Sequence, residues 1–198
     1  MADYKKMQEN IKLICERVSM GERMAMLAEE TAELADAARL LLESITESRR
    51  KGRKCTFGRE ASEDVEEEIA DVLVVMLCVF DGETLCTMID CIDSHAKPAR
   101  SAGELKKRLR ELIALSGIVR YVAFKMRRID NEENPTDWTK EQVDEFLSVF
   151  SCKLFMVMSN TLRQWQLAGV NCRMEQKLER WAKRLKGETE NGNDLQQD

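Results

Sequence analysis

The sequence predicts an all-α protein, and three observations support this fold class. Only two prolines occur in 198 residues, and residues of high helix propensity such as Ala, Leu, Glu, Lys, Arg and Met dominate. Apolar residues recur with the three-to-four-residue spacing of amphipathic helices. Capping boxes, in which Ser or Thr is followed three residues later by Glu or Gln, begin at Ser19, Ser101 and Thr139. We therefore expect a bundle of about five to seven helices.

The predicted helices follow one another along the chain. They lie at roughly 3–17, 20–47, 61–80, 102–130, 140–167 and 172–186, with room for a further short helix around 83–93. Segment 48–60 contains two glycines and is expected to be a loop, and the polar segment 187–198 is expected to be a disordered tail. We thus expect one helical domain over 1–186 with an inserted helical hairpin at about 98–165.

Composition excludes several classes of protein. The longest apolar run, 72–80, is far shorter than the roughly 20 residues that a membrane span needs, so no membrane role is expected. Seven cysteines, an odd number without zinc-type pairing, are typical of reduced thiols in the cytoplasm. A net charge of −5 argues against stable binding of nucleic acid. The basic cluster at 49–59 is compatible either with a solvated loop or with a surface that attracts phosphate.

Carboxylates interrupt the apolar faces of two predicted helices. Glu30 and Glu33 are expected on the side of their helix that carries Met26, Leu34, Ala37, Leu40 and Leu41. Glu68 and Asp71 share a face with Val72, Val75 and Val79, and Asp64 could join them from one turn earlier. We therefore expect the four acids to point inward, between the two central helices of the bundle.

Four inward acids would repel one another unless cations lay between them. Burial of an unpaired carboxylate costs several kcal/mol, so the pattern is favourable only with a counter-charge. Oxygen ligands without His or Cys favour Mg²⁺, with Mn²⁺ as a substitute, and Mg²⁺ commonly completes its coordination with substrate phosphates. A single acid pair at this spacing is more often a solvated helix face. Two pairs on neighbouring apolar helices favour a metal site for a phosphorylated ligand.

The two acidic stretches, LAEETAELADA and EEEIADVLVVM, resemble the Glu-x-x-Glu and Glu-x-x-Asp signature of the MazG-like, all-alpha nucleoside triphosphate pyrophosphohydrolases. This superfamily includes dimeric dUTPases and dCTP pyrophosphatases. The resemblance implies that Glu30, Glu33, Glu68 and Asp71 hold Mg²⁺. The closing segment NCRMEQKLERWAKRL is similar to the family's nucleotide-contacting helix. It implies phosphate or nucleotide contacts by Asn171, Lys177 and Arg180, so loss of Lys177 would be expected to leave metal binding unchanged.

The resemblance implies an enzyme that hydrolyses a nucleoside triphosphate, with ribo- and deoxynucleotides both open, to the monophosphate and pyrophosphate. Glu33 or Glu68 would orient the attacking water or accept its proton. A homodimer or homotetramer is implied as well, although the apolar stripes of the inserted helices could pair within one chain or between chains. The alternative is a noncatalytic helical scaffold or nucleotide-sensing module that retains the acidic metal site.

Overall fold

The computed structural model describes residues 4–51, 59–79, 101–130 and 167–187, and within these segments the chain is helical without any strand. Five helices are described: α1 (Tyr4–Arg17), α2 (Met20–Arg50), α3 (Arg59–Val79), α4 (Ala102–Asp130) and α5 (Leu167–Lys186). The predicted fold class is thereby confirmed. Each of these helices is too short or too polar to cross a lipid bilayer.

Several helix boundaries differ from the predicted ones. Helix α2 continues three residues beyond its predicted end, to Arg50, and α3 begins two residues before its predicted start, at Arg59, so the segment between them is shorter than the predicted loop at 48–60. Helix α5 begins at Leu167, five residues before the predicted start at 172. The possible helix at 83–93, nearly all of the one at 140–167 and most of the tail lie outside the described residues.

Polar caps determine where two of the helices begin. The Ser19 backbone N–H donates to Glu22 Oε2 (3.0 Å), and the Glu22 backbone N–H donates to Ser19 Oγ (3.2 Å), which completes the predicted capping box of α2. At the start of α4, the Glu104 N–H donates to Ser101 Oγ (3.2 Å). These bonds satisfy N–H groups that a helix start otherwise leaves without an acceptor. The third predicted box, at Thr139, lies outside the described residues.

Helix α2 lies at the centre of the described structure and packs against both α3 and α4, while α5 packs against α3 and α1. From Ile69 to Val79 every residue of α3 is buried. In α4, Leu105, Leu109, Leu112 and Val119 are buried as well. The buried residues of α4 therefore pack against α2 of the same chain.

The buried face of α2 is rotated away from the predicted one. Leu27 and Ile45 mark the middle of the buried set, which comprises Gly21, Arg23, Met24, Leu27, Thr31, Leu34, Ala35, Ala37, Ala38, Leu41 and Ile45. At about 100° per residue, Leu40 lies roughly 140° from this line. Leu40 is 59% exposed, so its predicted place in the core was wrong. The prediction had centred the face on Glu30, whereas packing between α3 and α4 centres it on Leu27.

A buried arginine joins α2 to the end of α3. Arg23 donates from Nη1 to the carbonyl oxygen of Cys78 and from Nε to that of Ser19 (3.4 Å). The Cys15 thiol donates to the same Cys78 carbonyl (3.3 Å). Carbonyls in the last turn of a helix have no partner within the helix, and the partial negative charge there favours a cation. Arg23 and Cys15 thus satisfy the carboxyl end of the helix that carries two of the candidate metal ligands.

Replacement of Arg23 by methionine should destabilise the protein by about 1–3 kcal/mol, because it removes a charge-assisted hydrogen bond to the buried Cys78 carbonyl and a second one to the Ser19 carbonyl. Methionine retains most of the side-chain volume, which limits any cavity. Urea denaturation followed by circular dichroism measures the change, and Arg17→Met, at an exposed position of α1, is the control. Equal unfolding midpoints for the two variants would show that the Arg23 contacts contribute nothing to stability.

Candidate metal centre

Helices α2 and α3 bring three carboxylates together where they pack against each other. Glu30 lies at the flank of the buried face of α2, about 60° from its middle. Glu68 and Asp71 are separated by one turn of α3 and face the same way. One oxygen from each of these three side chains lies within 4.8 Å of the other two. The sequence predicted this convergence from the spacing of the acids.

The three acids differ in burial, and two of their oxygens have no partner. Asp71 is only 8% exposed and is the one charged residue in the buried run 69–79. Glu30 and Glu68 are half-buried. Asp71 Oδ1 and Glu68 Oε2 are buried without any hydrogen-bond partner in the described part of the chain. A buried acceptor without a donor is costly, and a bound cation would satisfy both oxygens.

The electrostatics of the cluster show that the acids are crowded. Burial raises the pKa of Glu30, and the neighbouring charge of Glu33 raises it further, whereas Lys177 lowers it. The pKa of Glu68 is raised by burial first, then by Glu33, and is likewise lowered by Lys177. Both raised pKa values mean that the ionised cluster is unfavourable in the folded protein. A cation between the carboxylates would instead lower the pKa values of Glu30 and Glu68.

Glu33 lies at the rim of the cluster and is exposed. The prediction that all four acids point inward was therefore wrong for this residue. Glu33 is about 120° from the middle of the buried face of α2, so it faces solvent while its charge still acts on Glu30 and Glu68. Asp64 is also exposed, and it does not belong to the group of converging oxygens. The structure thus brings together Glu30, Glu68 and Asp71, with Glu33 beside them.

Helix α5 places a positively charged side chain next to the acids. Its buried stripe comprises Val170, Met174, Leu178 and Ala182. Beside this stripe, the Lys177 ammonium forms an ion pair with Asp71 Oδ2, and its side chain is 23% exposed. The predicted phosphate-binding lysine therefore contacts a predicted metal ligand directly. Sequence spacing within one helix could not predict this contact, because it depends on how α5 packs on α3.

Arg173 is a basic residue near the site that the sequence analysis missed. It lies one turn before Lys177, and its Nη1 donates to the Glu63 carbonyl oxygen (3.2 Å) and approaches Glu67 Oε2 at 3.8 Å. These contacts attach α5 to α3 next to the acid cluster. The i, i+4 spacing of two basic residues on one helix was the available signal.

The other two residues predicted to contact the nucleotide are Arg180 and Asn171. Arg180 is exposed, on the side of α5 away from its buried stripe. Asn171 lies within α5, and its side chain is outside the described part of the chain.

The described cluster fits a hard divalent cation. In the described part of the chain its donors are carboxylate oxygens, two of which are buried without a hydrogen-bond partner there. Mg²⁺ and Mn²⁺ prefer such oxygen donors, and Mg²⁺ usually keeps coordination positions for water and phosphate. Three protein carboxylates around one point leave room for such ligands. The residues therefore suit a metal that would bind a phosphorylated substrate.

Residues 19–94 match the family model described as the MazG nucleotide pyrophosphohydrolase domain. This span begins at the N-cap of α2 and contains both acidic motifs, and it confirms the resemblance drawn from those motifs. Helices α4 and α5 lie outside the matched span. No curated protein and no solved structure matched the chain.

Proposed function

We propose, from the premise that residues 19–94 belong to the MazG nucleotide pyrophosphohydrolase family, that this protein is a Mg²⁺-dependent enzyme. It would hydrolyse a nucleoside triphosphate to the monophosphate and pyrophosphate. The observation that carries the proposal is the cluster of Glu30, Glu68 and Asp71, in which two buried carboxylate oxygens lack a hydrogen-bond partner among the described residues. A protein that used these acids only for stability would gain from pairing or exposing those oxygens.

Glu30, Glu68 and Asp71 would hold the metal, and Glu33 is near enough to assist from the rim. When bound, Mg²⁺ or Mn²⁺ supplies positive charge for the triphosphate oxygens and makes a nearby water more acidic. The burial of Asp71 within the apolar run of α3 keeps one ligand rigid. Rigid carboxylates hold a cation in place without reorganisation during the reaction.

The reaction adds the oxygen of water to the α-phosphorus and breaks the bond from that phosphorus to the oxygen bridging the α- and β-phosphates. The bridging oxygen leaves with pyrophosphate, and the proton lost by water must be accepted. Glu33 suits this role because it is exposed to water yet lies beside the acids. Glu68 would act mainly as a ligand, since one of its oxygens is buried and one lies among the converging oxygens of the cluster.

Helix α5 would provide the contacts to the nucleotide. Lys177 is already at the cluster and would reach phosphate oxygens, and Arg180 would approach from the exposed side of the same helix. Asn171 completes the proposed set by the resemblance of its segment to the family. The substrate class is a nucleoside triphosphate of either sugar.

We further propose a cytoplasmic location and a homodimer or homotetramer. The described cysteines Cys15, Cys78 and Cys172 are free thiols, as expected for a reducing compartment. The assembly rests on the family resemblance. Light scattering that finds one chain per particle would exclude it.

The proposed activity predicts pyrophosphate release from at least one member of a panel of ribo-, deoxyribo- and modified nucleoside triphosphates. The assay measures pyrophosphate directly, with Mg²⁺, with Mn²⁺ and with EDTA, and nucleoside monophosphate is quantified by chromatography. EDTA should abolish the product. Nucleotide binding without any pyrophosphate would instead support the nucleotide-sensing module, and release of orthophosphate alone would show cleavage at a different phosphorus.

A further inference from the structure

Lys177 occupies a position that a metal would also need. Its ammonium contacts Asp71 Oδ2, while Asp71 Oδ1 and Glu68 Oε2 are buried and have no hydrogen-bond partner within the segments that the structure describes. The charge of Lys177 also acts on Glu30 and Glu68, since it opposes the rise of the pKa of both carboxyls. One ammonium therefore acts on all three acids, by contact with Asp71 and by its charge on Glu30 and Glu68, and offsets part of their negative charge.

A divalent cation and the ammonium cannot both stay close to Asp71 without strong repulsion. Magnesium ligands lie about 2.0–2.1 Å from the ion, so a metal bound by these carboxylates would lie within a few ångströms of the Lys177 nitrogen. Two positive charges at such a distance repel strongly in a partly buried site. Lys177 has a long flexible stem and is 23% exposed, so it can rotate toward solvent.

The attachment of α5 does not depend on Lys177 alone. Arg173 joins α5 to α3 through the Glu63 carbonyl and Glu67, and Glu179 forms an ion pair with Lys6 of α1 (3.0 Å). The apolar stripe of α5 is also buried. The lysine side chain can therefore leave Asp71 while its helix stays in place.

We propose that Lys177 is an exchangeable counter-ion, which offsets part of the negative charge of the acid cluster in the metal-free protein and is displaced from Asp71 by the divalent cation. The displaced ammonium is then free to contact the phosphates of the nucleotide, so that metal loading and phosphate recognition are coupled through one side chain. This inference rests on the proposed function, because it assumes that the acids hold a metal. It replaces the expectation that Lys177 has no influence on metal binding.

The test measures metal binding without nucleotide, by calorimetric titration of Mn²⁺ and Mg²⁺ into the full chain. Lys177→Met keeps the length of the side chain and removes the competing charge, so its metal affinity should rise about tenfold, within the usual range of coupling between two sites. In EDTA the same variant should melt at a lower temperature than the wild type, because its acids lose their counter-ion.

Lys183→Met is the matched control. Lys183 lies on the same helix and forms an ion pair with Glu179 at 3.4 Å, away from the acids. It should change neither the metal affinity nor the interval between the melting temperatures in EDTA and in metal. Lys177→Gln repeats the measurement with an uncharged side chain in case the methionine variant does not fold.

The outcomes separate the inference from the function on which it rests. If the wild type binds Mn²⁺ or Mg²⁺ and the Lys177 variants bind with equal or weaker affinity, the counter-ion role is overturned and the proposed function survives. If the wild type binds neither metal and releases no pyrophosphate, the proposed function fails and the inference fails with it. A tighter metal affinity in the Lys177 variants, without a change in Lys183→Met, supports displacement of Lys177 by the metal.

Discussion

Replacement of Glu68 by glutamine should lower kcat/KM for nucleoside triphosphate hydrolysis by about a hundred- to a thousandfold, which corresponds to roughly 3–4 kcal/mol of transition-state stabilisation. Glutamine keeps the shape of the side chain but removes one negative charge from the group formed with Glu30 and Asp71. The affinity for Mg²⁺ should fall together with the activity. Steady-state kinetics and calorimetric titration on the same samples measure the two effects.

The same substitution should raise the melting temperature of the metal-free protein. Because burial and Glu33 raise the folded-state pKa of Glu68 above its unfolded value, the wild type loses stability as the pH rises through that folded pKa. The glutamine variant has no such loss. Its advantage in EDTA should therefore be present at pH 8 and shrink as the pH falls below the ordinary pKa of 4.5, where the wild-type carboxyl becomes protonated in both states.

Glu29→Gln is the control for Glu68→Gln. Glu29 is exposed and lies beside Glu30 on α2, so it tests whether any loss of charge near the cluster has the same effect. We expect its kinetics and metal affinity to stay close to those of the wild type. Full turnover by Glu68→Gln would show that the acid cluster is not the catalytic centre.

Saturating Mg²⁺ or Mn²⁺ should raise the melting temperature by about 5–10 °C relative to EDTA. A ligand at a hundred times its dissociation constant stabilises the folded state by about 2.7 kcal/mol when it binds that state alone. For a chain of this size, each kcal/mol corresponds to roughly 2–4 °C. The measurement is a thermal melt followed by circular dichroism, with and without metal.

Two aspartates on α3 make this prediction specific to the cluster. Asp71 is buried at the converging oxygens, whereas Asp64 lies two turns earlier on the same helix and is exposed. Asp71→Asn should remove most of the metal-induced shift, and Asp64→Asn should leave it unchanged. Equal shifts in all three proteins would show that the metal binds somewhere other than at these acids.

Much of the fold was predictable because it depends on local chemistry. The capping box at Ser19 and Glu22 forms as predicted, since its donors and acceptors lie within four residues. Glu68 and Asp71 face the same way for a similar reason, because residues three apart share a helix face. Glu30 lies near them because α2 and α3 are both amphipathic and pack with their apolar sides toward each other. This packing brings together the acids that lie beside those sides.

The sequence by itself determined that the chain is helical in its described parts and that acids from α2 and α3 lie close together. Only the tertiary structure decided that Glu33 is exposed, that Leu40 is outside the core and that Lys177 contacts Asp71. The physical reason is that periodicity defines the faces of each helix, whereas its rotation against its neighbours depends on how several helices pack together. Helix α2 turns toward both α3 and α4, and this places Glu33 at the rim of the cluster.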